Sequence, residues 1–189
     1  MKLVFIRHAK VDMTWEKEYD AAGWEKANRD YNEAPIRPVP ERWDPESYFG
    51  HRHYRLYVSA LPRTRATAEG LLGPEIFQAS FTAATPLLNE VPNRAFCHLK
   101  RKIAKPLWVA AGRVQWFLNI RHQTETRRET RARAEQVARM LEEGGEDAIL
   151  VVHEFYLYTL ESVFRAHGFR VQRQYRGRIR NLERITCER

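Results

Sequence analysis

The sequence predicts an α/β protein: a three-layer sandwich in which helices flank a mixed, mainly parallel sheet. Three observations carry this. Short runs rich in β-branched and large apolar residues alternate with segments of helical length, as in a sheet whose strands are joined by helices. Two of those runs, Leu3-Val4-Phe5-Ile6 and Ala148-Ile149-Leu150-Val151-Val152, are apolar throughout and read as buried strands. Between the runs, helix signals are explicit, with Pro at two starts and Gly past three ends.

The elements follow in order. Residues 2–7 are a central strand. Residues 12–50 are polar and rich in Trp, Tyr and Pro, and the spacing of Pro35, Pro38, Pro40 and Pro45 interrupts regular structure. A short helix falls near 21–31, and the aromatics of this excursion need burial over the sheet. Residues 54–58 are a second strand. A helix runs from Pro62 to Leu72 and stops at Gly73-Pro74. Residues 77–84 are assigned as a third strand, 87–105 as loop, and 106–120 as a helix carrying Trp108, Trp116 and Phe117. Thr126-Arg127-Arg128-Glu129 has capping-box spacing and opens a helix to Glu143. Thr130, Ala134, Val137 and Leu141 share one face of it, and Gly144-Gly145 stop it. The strand 148–152 leads to a helix over 156–167, ended by Gly168. The run 178–187 is assigned as an edge strand.

At 189 residues the chain is expected to form one domain, 1–189, with insertions at about 12–50 and 91–125. No apolar stretch is long enough to span a membrane. The first apolar run is too short for a signal peptide and is read as a strand. Cys97 and Cys187 share no metal or redox spacing, so free thiols in a cytoplasmic protein are expected. A net charge of +8, mostly from arginine, favours anionic partners without choosing among them. No nucleic-acid-binding module accompanies that charge, so nucleic acid is not the expected partner.

The chemistry lies at strand ends, where open α/β sheets bind ligands. The first strand ends in Arg7-His8, the strand 148–152 ends in His153, and the strand 54–58 leads into Ser59-Ala60-Leu61-Pro62-Arg63. Two guanidiniums can clamp phosphoryl oxygens. Histidine, with an ordinary pKa of about 6.5, offers a neutral nucleophilic nitrogen at physiological pH. Glu90, in a loop after a strand, can supply a proton to a leaving oxygen.

These blocks resemble the histidine phosphatase superfamily, in its phosphoglycerate-mutase-like branch. Strand-Arg7-His8 looks like the family's opening signature, with His8 in the position of the phosphorylated histidine. Ser59-Ala60-Leu61-Pro62-Arg63-Thr64-Arg65-Ala66-Thr67-Ala68 is similar to the segment bearing its second phosphate-binding arginine, here Arg63. Val151-Val152-His153 matches its second histidine, and Leu88-Asn89-Glu90 its acidic proton donor. All four blocks stand in the family's order. The resemblance implies catalysis by His8, Glu90 and His153, with phosphate held by Arg7, His8, Arg63 and His153. It also implies a phosphohistidine intermediate, a small phosphorylated substrate, and no metal or other cofactor. A phosphatase is the leading reading. A mutase shares the intermediate but must shield it from water, and this chain is short for that, although residues 91–125 can form a lid. A weakly catalytic protein that binds a phosphate ligand is the third reading.

Four positions depart from the family. Ala9-Lys10 stand where Gly and then Glu or Gln are usual, and Thr14 stands where Asn is common. Glu154 replaces the Gly that follows the second histidine. Lys10, Thr14 and Glu154 are candidate substrate-binding residues. For Glu154 three orientations are open: into solvent, which ranks first; paired with a nearby arginine; or serving as a substitute acid. Arg94, His98, Lys100, Arg101, Lys102 and Lys105 form a basic stretch, read either as a solvated loop or as a contact for an acidic substrate tail.

Overall fold

The computed structural model describes residues Met1–Arg189. Its elements in chain order are β1 (Lys2–Arg7), β2 (Glu18–Tyr19), α1 (Ala21–Glu33), α2 (Glu46–Phe49), β3 (Tyr54–Ser59), α3 (Pro62–Leu72), α4 (Pro74–Ser80), β4 (Phe81–Thr85), β5 (Ile103–Ala104), α5 (Lys105–Phe117), α6 (Arg127–Gly144), β6 (Asp147–Val152), α7 (Glu154–Ala166), β7 (Arg170–Arg173) and β8 (Arg184–Glu188). Six strands form one sheet in the order β4-β3-β6-β1-β8-β7. β4, β3, β6 and β1 run parallel, and β8 is antiparallel to both of its neighbours. The sheet is therefore mixed and mainly parallel, as the sequence predicts.

Strand alternation builds the two flanking layers. Leu3 and Phe5 of β1 and Leu150 and Val152 of β6 face α6 and α7, where Val137, Leu160 and Phe164 meet them. Val4 and Ile6, with Ile149 and Val151, face the opposite layer, against Leu71, Leu72 and Phe77. Helix α6 opens with the predicted capping box, in which the Thr126 amide donates to Glu129 Oε2 at 2.8 Å.

The two insertions pack on one another. Trp24 of α1 stacks on Trp108 of α5 with centroids 6.2 Å apart, and the short strands β2 and β5 pair antiparallel. Tyr19 and Ala95 complete this small core. The resulting wall stands beside the strand ends, where it supplies Trp15, Trp24 and Arg113 to a cleft. No helix is long and apolar enough to cross a membrane.

Several element assignments need correction: within the predicted loop 87–105, Ile103–Ala104 form β5, and the helix predicted over 106–120 begins at Lys105 and ends at Phe117. Residues 77–80 belong to helix α4, and the strand begins only at Phe81. Gly73, at φ 78°, ends α3, and Pro74 then occupies the first turn of a new helix instead of merely stopping the old one. Strand β8 is shorter than 178–187 and is interior, because β7 covers its outer side as the edge strand. Residues 154 and 155 are helical, so α7 begins where β6 delivers its histidine.

His167 closes the far end of α7 against α6. Its Nε2 lies 2.7 Å from Glu135 Oε2 and its Nδ1 3.1 Å from Glu142 Oε2. The hydrogen bond to Glu135 leads the causes that raise its pKa above the ordinary 6.5. A raised folded-state pKa gives stability that is fully present below about 6.5 and is lost as pH rises through the raised value. The urea midpoint of the native protein is accordingly expected to fall further between pH 6 and pH 8 than that of His167→Gln. Parallel pH dependence in the two proteins would show that the cluster contributes nothing.

Candidate active site

Three adjacent parallel strands, in the order β3-β6-β1, end at one level. Arg7 pairs in register with Val152, and Val58 with Val151. Register therefore brings His8, His153 and Ser59 together at the carboxyl edge. Above that edge opens a cleft of about 1220 Å³, lined in part by Arg7, His8, Arg63, Glu90 and Glu154.

His8 is buried, with its backbone amide on the Val152 carbonyl at 2.9 Å. Its Nδ1 lies 2.7 Å from the Ala9 carbonyl oxygen. A carbonyl only accepts, so Nδ1 carries the proton and Nε2 keeps a free lone pair. Burial, and then the Arg63 and Arg7 charges, push the His8 pKa down to about 3. The ring is neutral at physiological pH and in the tautomer that a nucleophilic Nε2 requires.

His153 is fully buried, its ring centroid 5.0 Å from that of His8. Arg63 Nε donates to His153 Nδ1 at 3.3 Å, which leaves Nε2 to donate to Ser59 Oγ at 2.8 Å. Burial, followed by Arg63, holds its pKa well below the ordinary value. Both of its nitrogens are thus engaged with protein, and it stands behind the cleft wall while orienting Arg63.

Arg63 is 2% exposed and has no carboxylate within ion-pair distance. Its guanidinium also donates to Asn32 Oδ1 at 2.9 Å and lies 5.0 Å from the centroid of the Tyr31 ring. Thr67, one turn along α3, accepts the Ala9 amide at 2.9 Å and so fastens the helix to the end of β1. A buried guanidinium without a counterion is costly alone and is relieved by a bound anion. Arg7 donates through NH1 to the Ile179 carbonyl at 2.6 Å, and its NH2 pairs with Glu154 at 2.9 Å.

Glu90 lies at the N-terminus of α7. Its Oε1 accepts the amides of Val91 at 2.9 Å and Tyr156 at 3.0 Å, and its Oε2 that of Phe155 at 3.2 Å. Carboxylates are favoured at such a terminus, which presents free amides and a positive dipole end. Arg133 of α6 holds the preceding loop by donating to the carbonyls of Leu87 and Asn89, each at 2.8 Å.

The structure brings Arg7, His8, Arg63, Glu90 and Glu154 to the cleft and places His153 directly behind it. It does not bring Lys10 or Thr14 there: both are exposed and neither lines the cleft. The chain leaves the sheet edge after Ala9 and pairs Val11 with Ile36, which carries those side chains away. Glu154 does not point into solvent. Its side chain is 18% exposed and its two oxygens bind Arg7 and Arg178. Of the basic stretch, only Arg94 and Lys105 line the cleft.

Several lining residues escaped the sequence reading. Arg133 had a legible signal: it lies three residues after Thr130, beside the buried face of its helix, and a cation there needs a partner. Asn32 and Tyr31 reach Arg63 only because α1 packs near α3. Arg113, stacked 3.6 Å from the Phe155 centroid, and Arg178 arrive from distant segments with no local mark.

No protein-family model and no curated protein matches the chain. Solved structures share its fold. Mycobacterial hydrolase 1 aligns with a TM-score of 0.59 at 15% identity, covering 98% of this chain and 87% of that one. A mycobacterial glucosyl-3-phosphoglycerate phosphatase aligns at 0.54 and 15% identity, covering 98% and 88%. An Escherichia coli protein assigned as an alpha-ribazole-5'-P phosphatase aligns at 0.50 and 20% identity, covering 87% and 79%. At these identities the likeness is one of fold, and it shows that the chain has the mainly parallel α/β fold of phosphoglycerate-mutase-like phosphatases.

Proposed function

We propose that the protein hydrolyses a small phosphomonoester through a phosphohistidine formed on His8. The observation that carries this reading is a buried, neutral His8, its Nε2 free, beside Arg63, a buried cation without a counterion. In the first step the Nε2 lone pair forms a bond to phosphorus while the ester P–O bond breaks. Arg63 and Arg7 stabilise charge on the phosphoryl oxygens. The leaving oxygen takes a proton from the acid at Glu90. In the second step a water loses its proton to Glu90 and attacks phosphorus. The P–N bond breaks, releasing phosphate and restoring neutral His8. His153 acts by positioning Arg63.

The open cleft admits water, which favours hydrolysis over a mutase that must keep its intermediate dry. The ion pair of Glu154 with Arg7 favours a second reading, a weakly catalytic protein that binds a phosphate ligand, because that carboxylate competes for a phosphate-binding cation.

A panel of phosphomonoesters is expected to reveal metal-independent turnover that His8→Ala abolishes. A labelled substrate quenched in alkali should leave phosphate on the native protein and none on the variant. Undiminished turnover in His8→Ala would exclude the mechanism.

The depressed pKa of His8 also sets a pH profile. The acid limb due to the nucleophile is expected near pH 3, not near 6.5. Across substrates with different phosphate pKa values, kcat/KM should show no limb that stays at 6.5. Stability follows the same group: unfolded His8 takes up a proton below about 6.5, so this contribution is lost as pH falls from there toward 3.

Glu154→Gln removes a negative charge from beside Arg7. Relief of about 1–2 kcal/mol of repulsion would tighten inhibition by inorganic phosphate about tenfold. An unchanged inhibition constant would place the bound phosphate away from Arg7.

A further inference from the structure

A second, smaller cavity adjoins the cleft. It measures about 450 Å³ and is lined by Arg7, Arg176, Arg178, Ile179, Arg180 and Asn181. Four of those six residues are arginines and none is acidic, so the cavity is strongly cationic. Arg7 and Arg178 line both spaces, which makes the two neighbours across one shared wall.

The cavity is formed largely by the β7–β8 connection, residues 174–183, and that connection is held along its length. Buried Glu183 accepts the Arg180 amide at 2.7 Å and the Tyr175 amide at 3.3 Å. Arg173 donates to the Gly177 carbonyl at 2.8 Å, and the Tyr158 hydroxyl accepts the Ile179 amide at 3.3 Å. The reactive strand end completes the hold. The Arg7 guanidinium binds the Ile179 carbonyl at 2.6 Å, the Leu182 amide donates to the Arg7 carbonyl at 2.9 Å, and the Asn181 amide group donates to the His8 carbonyl at 2.8 Å. A loop already ordered in this way loses little further entropy when it binds a ligand.

The charges in this cavity are not balanced from within. Glu154 is the one carboxylate paired with any of the four arginines, and it serves Arg7 and Arg178 together. Arg180 lies 4.4 Å from the Tyr175 centroid without an ion pair, and Arg176 has none either. Nε of Arg7 is buried with no hydrogen-bond partner. Guanidiniums gathered around one space repel each other, and an oxyanion placed among them relieves the repulsion and satisfies their donors.

We propose that this cavity is a second oxyanion site that takes a second phosphate-type group of the same substrate, so that preferred substrates carry one such group at His8 and another among Arg176, Arg178 and Arg180. The inference rests on the reading of His8, Arg7 and Arg63 as a phosphoryl site and names the substrate class of that site. The same oxyanion chemistry has two sources, the distal group of a substrate and free phosphate. The Arg7 guanidinium, common to both cavities, favours a single ligand that spans them.

The test is calorimetric titration of the full chain with orthophosphate and with tripolyphosphate at one ionic strength. Tripolyphosphate is expected to bind the native protein at least about tenfold more tightly than orthophosphate. Arg176→Ala/Arg180→Ala should reduce that advantage to about twofold, and Arg176→Lys/Arg180→Lys should restore most of it. Arg131→Ala/Arg139→Ala, which removes the same charge from α6, should keep the full advantage. The inference is overturned if the native protein shows no advantage, if the advantage survives in Arg176→Ala/Arg180→Ala, or if the α6 control loses it equally. A second equivalent of orthophosphate, lost in Arg176→Ala/Arg180→Ala and without any tripolyphosphate advantage, would overturn the spanning substrate in favour of a free anion. Orthophosphate binding that Arg63→Ala leaves undiminished would instead refute the phosphoryl-site reading, and the tripolyphosphate ratios would still judge the arginine cavity separately.

Discussion

The buried charge of Arg63 is the constraint around which the site is arranged. A guanidinium removed from water requires partners, and here none of them is a carboxylate. It receives a neutral imidazole acceptor from His153, a side-chain oxygen from Asn32 and the face of Tyr31. Each helps to keep the cation in place without neutralising it. Burial first, and then this charge, depresses both histidines, keeping His8 unprotonated beside a positive field. The buried cation thus underlies the anion affinity proposed for the site and, together with burial of the ring, the neutral state of His8.

That arrangement depends on the sheet. In β1 and β6 all four central residues of each strand are buried, because helices cover both faces. Parallel register then aligns the carboxyl ends, so that polar residues placed just past the apolar runs meet without any of them having to reach. The hydrogen bond between the Ser59 and Thr64 hydroxyls, at 2.9 Å, and the contact of Ala9 with Thr67 tie the first two turns of α3 into the same edge. The apolar interior and the polar edge are consequences of the same strands.

Glu154 changes the balance of this site. Its carboxylate bridges Arg7 and Arg178. The bridge draws the β7–β8 connection against the carboxyl edge of the sheet and leaves further arginines beyond it. A carboxylate that would repel a phosphate when taken alone is the point through which the C-terminal segment joins the cleft.

Much of this was legible before any tertiary contact. Strands β1, β3 and β6, helix α3 and the cap of α6 are written in local patterns, namely apolar runs, Pro at a helix start and Thr-x-x-Glu. The positions of Arg7, His8, Arg63 and His153 relative to those elements followed from the same patterns. What local pattern could not decide was anything set by long-range packing. Residues 77–80 became helical, β8 became interior, Lys10 and Thr14 turned away, and Glu154 turned inward to its arginines. Orientation at those places is chosen by partners far off in sequence, such as Arg178 for Glu154 and Ile36 for Val11. Apolar periodicity and backbone preference are properties of a segment and can be read from it, whereas the direction of a side chain and the pairing of its charge belong to the assembled surface, which exists only once the chain has folded.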